Sequence, residues 1–329
     1  MKGFSNANAT NIRHAATLVK DARAAGRRAS LSGGGSDLLP LVKDQIVQPD
    51  VIVHLGAIKG GDRIESSPTG LTIGGLVTLD ALGRHEALNG PYAVLAEAAG
   101  TVATPQIRNV ATLAGNLCQR PWCWYYRNGF PCYKAGGNQC FSFNGENQFH
   151  AIFGGGPSYI VHPSDTAPAL VALGATFQIS GPGGDRTVPA SEFFALPRRD
   201  PAKENVLADD EVLASVKIPA ARPGMRATYQ KVMDREAWTH AVVSAAVVLE
   251  MQGGVCRSAR VVLGGVAPIP WRLPEVEKLL AGQRVTPALA QKAGEVAVAG
   301  ARPLSQNAYK VPLTKNLVKR TIAELAERA

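Results

Sequence analysis

A glycine loop between a predicted strand and a predicted helix near the amino end constrains the fold most. Apolar residues recur at helical spacing over residues 10–25, and Gly26 follows as a helix stop. A short strand at 28–31 leads into the Gly-Gly-Gly-Ser-Asp sequence at 33–37 and then into a second helix at 38–42. Because helix, strand, glycine loop and helix follow in this order, the sequence predicts a small α/β lobe that extends to about residue 60.

The rest of the chain predicts an α+β protein with two domains. A segment rich in Pro, Ala and Arg at 219–224 separates a first domain, residues 1–220, from a second, residues 221–329. The stretch 114–156 has neither helical nor strand periodicity, so it is predicted to be a long ordered loop. Further strands are predicted at 51–55, 71–75, 159–161, 176–180, 241–251 and 258–263, and further helices at 93–99, 166–173, 279–280, 288–299 and 313–329.

The composition excludes several classes of protein. With 46% hydrophobic residues, the chain can bury a large core, which excludes a disordered or fibrous protein. It has no run of eighteen apolar residues and no basic start followed by an apolar stretch, so we expect neither a membrane span nor a signal of its own. The net charge of +9 is spread along the chain without a basic run, which argues against nucleic-acid binding.

The glycine loop is the first candidate for chemistry. Glycines let backbone amides converge on phosphate oxygens where a Cβ atom would clash. The loop has neither the Gly-Lys-Ser/Thr of a P-loop nor the spacing of the dinucleotide fingerprint. On this pattern alone, a phosphate cradle and an ordinary tight turn both stay open.

A second candidate is the polar stretch 101–117. It combines Thr and Asn side chains and one Arg with Ala and Gly residues small enough for a ligand to approach the backbone. The alternative is a polar loop whose Thr and Asn side chains cap its own turns.

Four of the five cysteines, Cys118, Cys123, Cys132 and Cys140, form the third candidate. They are separated by four, eight and seven residues, with aromatic residues between them. Four thiolates could hold the irons of a 4Fe-4S cluster, which aromatic side chains would shield from water, or a zinc ion. Zinc sites usually have closely paired cysteines, which are absent here, and free or disulfide-bonded cysteines also stay open.

Two isolated charged residues are weaker candidates. Asp165 precedes a predicted helix and is as suitable for capping as for binding a ribose or an adenine. Lys231 lies on a predicted strand, where a single lysine is more often solvated than functional. The histidines show no metal-ligand spacing.

The glycine loop, the segment 73–78 and the segment 106–117, in this order, resemble the flavoprotein subunits of the molybdenum hydroxylases, a family that includes xanthine dehydrogenase and carbon monoxide dehydrogenase. The resemblance spans nearly the whole chain. It implies a two-lobed FAD-binding domain of the vanillyl-alcohol-oxidase/PCMH type, with lobes at about 1–60 and 61–220, followed by a carboxy-terminal antiparallel sheet with helices. The FAD contacts that it implies are Leu31, Ser32, Gly33, Gly34, Gly35, Ser36, Asp37, Leu38, Thr78, Thr104, Asn109, Thr112, Gly115, Asn116, Asp165 and Lys231. Asp165 would lie near the adenosine half of FAD and Lys231 near the isoalloxazine end.

An insertion at about 117–158 narrows the resemblance to the FAD subunits of periplasmic aldehyde oxidoreductases, in which such an insertion holds a 4Fe-4S cluster. Cys123, Cys132 and Cys140 match that pattern. The fourth ligand departs from it, because Ser158 stands where these relatives have a cysteine. The resemblance therefore leaves Cys118 or Ser158 to complete the cluster.

The function implied is electron transfer within a heterotrimer. A large subunit with a molybdenum cofactor would oxidise the substrate, and a small subunit with 2Fe-2S clusters would pass electrons to the FAD of this chain and on to an external acceptor. We expect no catalytic residue in this chain. We expect export to the periplasm on a signal-bearing partner, with the cytoplasm as the alternative. The rival functions are a stand-alone FAD oxidoreductase and a zinc-stabilised scaffold.

Overall fold

The computed structural model describes residues 2–237 and 239–327, which form three β-sheets with helices packed on them. The strands are β1 (Ser5–Asn8), β2 (Ala29–Ser32), β3 (Val51–His54), β4 (Ile64–Ser67), β5 (Gly70–Gly74), β6 (Thr176–Gly181), β7 (Gly184–Pro189), β8 (Val212–Pro219), β9 (Met225–Val232), β10 (Val243–Gln252), β11 (Val255–Gly264), β12 (Trp271–Arg272) and β13 (Gln283–Arg284). The α-helices are α1 (Ile12–Ala24), α2 (Leu38–Lys43), α3 (Leu79–Arg84), α4 (Ala93–Gly100), α5 (Pro105–Arg108), α6 (Leu113–Leu117), α7 (Trp124–Arg127), α8 (Thr166–Ala172), α9 (Ala190–Phe193), α10 (Pro274–Leu280), α11 (Pro287–Ala297) and α12 (Lys310–Glu327).

The first sheet is parallel, with the strand order β1-β3-β2. Helix α1 connects two of its strands and begins where Asn11 accepts a hydrogen bond from the backbone N–H of His14. The helix buries Ala15, Ala16 and Val19 against the sheet. Its end at Gly26, where φ is +71°, matches the predicted helix stop. This part of the chain is the α/β lobe predicted from the amino end.

The second sheet is antiparallel, with the order β4-β5-β8-β6-β7. The third has the order β12-β11-β10-β9, with β13 paired to β11. Side chains of β10 alternate between the two largest cores. Val247 and Leu249 pack with helices α10–α12, whereas Ala246 and Val248 face the core that contains strands β5, β6 and β8 and helices α4 and α8. Because both faces of β10 are buried, its sequence is a nearly continuous apolar run.

The predicted α+β class with a carboxy-terminal antiparallel sheet is confirmed. The second sheet ends at Pro219 and the third begins at Met225. The predicted strand at 159–161 was wrong, since these residues lie outside the strands. The segment 114–156 also contains the short helix α7 and a 3₁₀ turn, Tyr133–Ala135, which are too short to show helical periodicity in the sequence.

Candidate functional site

The glycine loop packs directly on the backbone of the polar stretch 101–117. A Cβ atom on Gly34 would lie 1.7 Å from the carbonyl oxygen of Val110, and one on Gly33 would lie 2.6 Å from Oγ1 of Thr112. Gly35 has a φ of +71°, which disfavours other residues. The first two glycines are therefore required by the close approach of two chain segments. The pattern alone did not reveal this reason.

The hydroxyls of Thr78, Thr104 and Thr112 each cap a helix. They accept hydrogen bonds from backbone N–H groups at the starts of α3, α5 and α6. The alternative interpretation, that polar residues of this stretch cap its own turns, therefore describes Thr104 and Thr112. A hydroxyl that accepts such a bond keeps its own O–H available to donate to a ligand. Asn109 follows the last residue of α5.

Asn116 is buried and joins α6 to the start of α8. Its Oδ1 accepts hydrogen bonds from Oγ of Ser164 at 2.6 Å and from Oγ1 of Thr166 at 2.7 Å. Because Ser164 in turn accepts from the backbone N–H of Ala167, the start of α8 is fixed beside the polar stretch. Asp165, which lies between Ser164 and Thr166 in the chain, is therefore also held beside the polar stretch.

Asp165 and Lys231 form a buried ion pair. Nζ of Lys231 is 2.7 Å from Oδ2 of Asp165, and the side chains are 1% and 4% exposed, respectively. Oδ1 of Asp165 also accepts from the hydroxyl of Tyr229 at 2.6 Å, while Lys231 donates to the carbonyl oxygen of Thr101. Asp165 makes no helix-capping bond, and Lys231 is not solvated.

The ion pair places Asp165 and Lys231 side by side, whereas the resemblance implies that Asp165 lies near the adenosine half of FAD and Lys231 near the isoalloxazine end. Which part of FAD each residue would contact stays a prediction.

A cavity of about 310 Å³ lies between the glycine loop, the polar stretch, the insertion and the segment before β10. That volume is at the lower end of the range usual for cofactor sites. Its lining includes the predicted residues Ser36, Asp37, Gly115, Asn116, Cys123 and Asp165. It does not include Leu31, Ser32, Gly33, Gly34, Gly35, Leu38, Thr78, Thr104, Asn109, Thr112, Lys231, Cys118, Cys132 or Cys140.

Several residues that line the cavity were not predicted from the sequence. Ala103 has a φ of +44°, a strained conformation that is unusual for alanine. It persists only where the surrounding structure imposes it. Trp122 lies 5.2 Å from the ring of His240, so the insertion and the segment before β10 meet at the cavity wall. Nothing in the sequence pattern signals these contacts, because the residues are distant along the chain.

The structure brings three of the four cysteines into one region and leaves Cys118 in another. Cys123 and Cys132 pack in a small core with Leu41 and Tyr126. Burial raises the pKa of Cys123 to about 11, and the neighbouring thiols of Cys140 and Cys132 add to this increase. Cys118 packs instead against the core of the second sheet, where burial alone raises its pKa to about 12.

Among residues 2–237 and 239–327, no three or more His, Cys, Asp or Glu side chains are grouped closely enough to hold a metal ion. The four cysteines predicted as one ligand set are therefore not gathered into a ready-made metal site. His150 lies beside them, with its Nε2 at 3.3 Å from Sγ of Cys123. Burial lowers the pKa of His150 to about 4, so its imidazole is neutral at pH 7.

No described helix has the length and apolar character needed to cross a membrane.

Two family profiles together match almost the whole chain. Residues 2–221 match the FAD binding domain in molybdopterin dehydrogenase, and residues 227–325 match the carboxy-terminal domain of the CO dehydrogenase flavoprotein. The chain therefore belongs to the molybdenum hydroxylase family, as a FAD-binding medium subunit of an oxidoreductase. The family resemblance predicted from the three sequence motifs is confirmed.

Individual relatives agree with this assignment. The chain is 34% identical over 306 residues to the aldehyde oxidoreductase FAD-binding subunit PaoB of Escherichia coli (strain K12), with 92% of each chain covered. It is 27% identical to the carbon monoxide dehydrogenase medium chain of Hydrogenophaga pseudoflava, with 90% of this chain and 89% of the relative covered. Its fold matches the solved reconstituted CO dehydrogenase from Oligotropha carboxidovorans with a TM-score of 0.78 at 23% identity, covering 100% of this chain and 99% of that one.

Proposed function

We propose that this chain is the electron-transfer flavoprotein subunit of a heterotrimeric, molybdenum-containing aldehyde oxidoreductase. The observation that carries the proposal is the 34% identity to an aldehyde oxidoreductase FAD-binding subunit over 92% of both chains. In this proposal a large molybdenum-cofactor subunit oxidises an aldehyde, a small subunit with 2Fe-2S clusters passes electrons to this chain, and an external acceptor removes them.

The residues around the cavity fit FAD. Ser36 of the glycine loop and Gly115 and Asn116 of the polar stretch line the cavity, so both segments that resemble FAD-binding motifs reach it. Asn116 and Asp165, which also line it, are held in place by buried hydrogen bonds and an ion pair. Bound FAD would supply a carrier that exchanges one or two electrons.

The rival function, a stand-alone FAD oxidoreductase, would need a general base beside the flavin. Two carboxylates of the cavity lining, Asp37 and Asp165, are held in ion pairs with Arg127 and Lys231. The preference for electron transfer therefore rests on the identity to an aldehyde oxidoreductase FAD-binding subunit.

We also propose that Cys123, Cys132 and Cys140 hold a 4Fe-4S cluster. Their shared region and the surrounding rings support this: Tyr125 lies 5.2 Å from Phe130, and Phe130 lies 5.0 Å from Phe141. Aromatic rings of this kind limit the access of water to a cluster. The packing of Cys118 in a different core argues against Cys118 as the fourth ligand. A zinc ion is the competing occupant.

We propose that the assembled complex is exported to the periplasm on a signal-bearing partner. The support is the resemblance to the FAD subunits of periplasmic aldehyde oxidoreductases. Cell fractionation with marker enzymes tests this, and recovery of the complex with the cytoplasmic marker would contradict it.

The test of the electron-transfer proposal is anaerobic reduction of the purified complex. We expect one FAD per copy of this chain, loss of its visible absorption after addition of an aldehyde, and recovery after addition of an artificial acceptor. Free FAD mixed with the aldehyde in a separate cuvette, without the complex, serves as the control and should stay oxidised. A flavin that stays oxidised while the aldehyde is consumed would contradict the proposal.

A further inference from the structure

Asp37, the last residue of the glycine loop, is bound on both carboxylate oxygens by the cysteine insertion. Oδ1 accepts from Nη2 of Arg127 at 2.6 Å, and Oδ2 accepts from the backbone N–H of Arg120 at 2.8 Å. The preceding residue, Ser36, lines the cavity together with Asp37. The loop that resembles a phosphate cradle is therefore fixed from outside by a segment that lies more than eighty residues further along the chain.

Arg127 is held in place by the insertion itself. Its side chain is 9% exposed, Nε donates to the carbonyl oxygen of Pro121 at 2.9 Å, and Nη2 also donates to that of Arg120 at 3.1 Å. The guanidinium lies 4.2 Å from the ring centre of Trp122, another residue of the cavity wall. Arg127 thus joins two parts of the cavity lining, the glycine loop and Trp122.

The insertion has a second, buried anchor. Nζ of Lys134 lies 2.9 Å from Oε1 of Glu204, with both side chains at most 4% exposed, and Nη1 of Arg120 lies 3.0 Å from Oε2 of the same glutamate. Lys134 also donates to the carbonyl oxygen of Lys203. Arg120 takes part in both anchors, since its side chain pairs with Glu204 and its backbone N–H binds Asp37.

We propose that the insertion is a positioning element for FAD and that Arg127 is the positioning residue, acting through Asp37. The inference rests on the proposed function, since it requires FAD in the cavity. In this arrangement each carboxylate oxygen of Asp37 accepts a bond from the insertion, so Asp37 links Arg127 to the glycine loop. By thermodynamic linkage, FAD binding and an ordered insertion stabilise each other by the same factor.

The test is the rate of FAD release from the complete complex, measured by recovery of free-FAD fluorescence after dilution. We expect Arg127→Gln and Asp37→Asn each to increase the release rate by on the order of ten-fold, as is typical for coupling between sites. The double variant should release FAD no faster than the single variants, because both remove the same contact. Arg127→Lys, which keeps the charge, should recover part of the effect.

Arg222→Gln is the matched control. Arg222 forms an ion pair with Glu250 at 2.9 Å, but its side chain is 64% exposed and lies away from the cavity. If Arg127→Gln is recovered only as aggregate, Asp37→Asn alone decides, since it preserves the shape of the side chain. An unchanged release rate in Asp37→Asn, or additive effects in the double variant, would overturn the inference. A wild-type complex without FAD would instead overturn the proposed function.

Discussion

At the scale of single residues, Gly34 is the glycine at which an added Cβ atom would have the least room. A Cβ atom there would lie 1.7 Å from a backbone oxygen, so the glycine loop and the polar stretch would have to separate. We expect Gly34→Ala to destabilise the protein by about 1–3 kcal/mol, as overpacking does, and to abolish FAD retention after gel filtration. Denaturant unfolding and the ratio of flavin to protein absorption measure the two effects.

Gly100→Ala is the control for this substitution. Gly100 ends α4 and a Cβ atom there would meet nothing within 4 Å. We expect full FAD content in this variant and a stability equal to or slightly above that of the wild type, because alanine favours helix more than glycine. Retention of FAD by Gly34→Ala would show that the two segments do not need this close contact.

Lys310 gives a pH dependence of stability. Burial lowers the pKa of Lys310 from its usual 10.5 to about 7. Between pH 7 and 10.5 the unfolded chain holds a proton on Lys310 more often than the folded chain does. The free energy of unfolding therefore rises with pH over this range, and the destabilisation caused by burying charged Lys310 is largest at and below pH 7. We expect the free energy of unfolding of the wild type, relative to that of Lys310→Met, to rise between pH 7 and 8.5.

The measurement is urea unfolding of both proteins at several pH values. Lys278→Met is the control, because Lys278 is 72% exposed and its substitution should leave the slope unchanged. A parallel pH dependence in the wild type and Lys310→Met would contradict the altered pKa.

At the scale of elements, the insertion depends on a buried ion pair. Replacing Lys134 with Met would leave the nearly buried Glu204 with Arg120 as its remaining ion-pair partner. We expect a loss of about 1–3 kcal/mol in the free energy of unfolding, measured with denaturant, because one oxygen of a buried carboxylate loses its partner. The exposed pair Glu275–Lys278 is the control, and breaking it with Lys278→Met should cost about 1 kcal/mol or less. Equal effects at the two sites would contradict this account.

The elements with regular periodicity could be predicted from sequence, and the irregular ones could not. Helix α1 and strand β10 follow spacing rules that depend only on neighbouring residues. The segment 159–161 has apolar strand-forming residues but no strand partner, so its composition was misleading. The insertion is held by contacts across the chain, such as Asn307 to the carbonyl oxygen of His150, which no local pattern encodes.

The candidate site, too, could be predicted from the sequence only in part. The glycine loop, the polar stretch and the set of four cysteines could be found as motifs, because each is a compact segment with unusual composition, but the sequence did not show that Cys118 packs in a different core. The ion pair between Asp165 and Lys231 could not, because these residues are 66 positions apart and meet only when α8 and β9 join the same core. The buried position of Lys231 is likewise a property of packing, and a lone lysine on a strand gives no signal of it.

At the scale of the whole molecule, the cavity lies where the amino-terminal lobe, the polar stretch and the insertion meet. Both the family assignment and the close packing of the first two motifs support FAD there. The insertion contributes Trp122 and Cys123 to the same wall, which would place a cluster held by the cysteines next to the flavin. Under the proposed function, this chain would hold two redox groups side by side.

The most direct test is to quantify FAD, iron, acid-labile sulfide and zinc in the complete complex, purified anaerobically, for the wild type and three cysteine variants. We predict one FAD per copy of this chain and a loss of about four irons in Cys132→Ser. Cys256→Ser, which alters a cysteine buried in the carboxy-terminal domain, should lose no iron. Cys118→Ser should also retain its iron, because Cys118 packs in a different core from the other three cysteines. Absence of FAD, or a loss of zinc in place of iron from Cys132→Ser, would contradict the account.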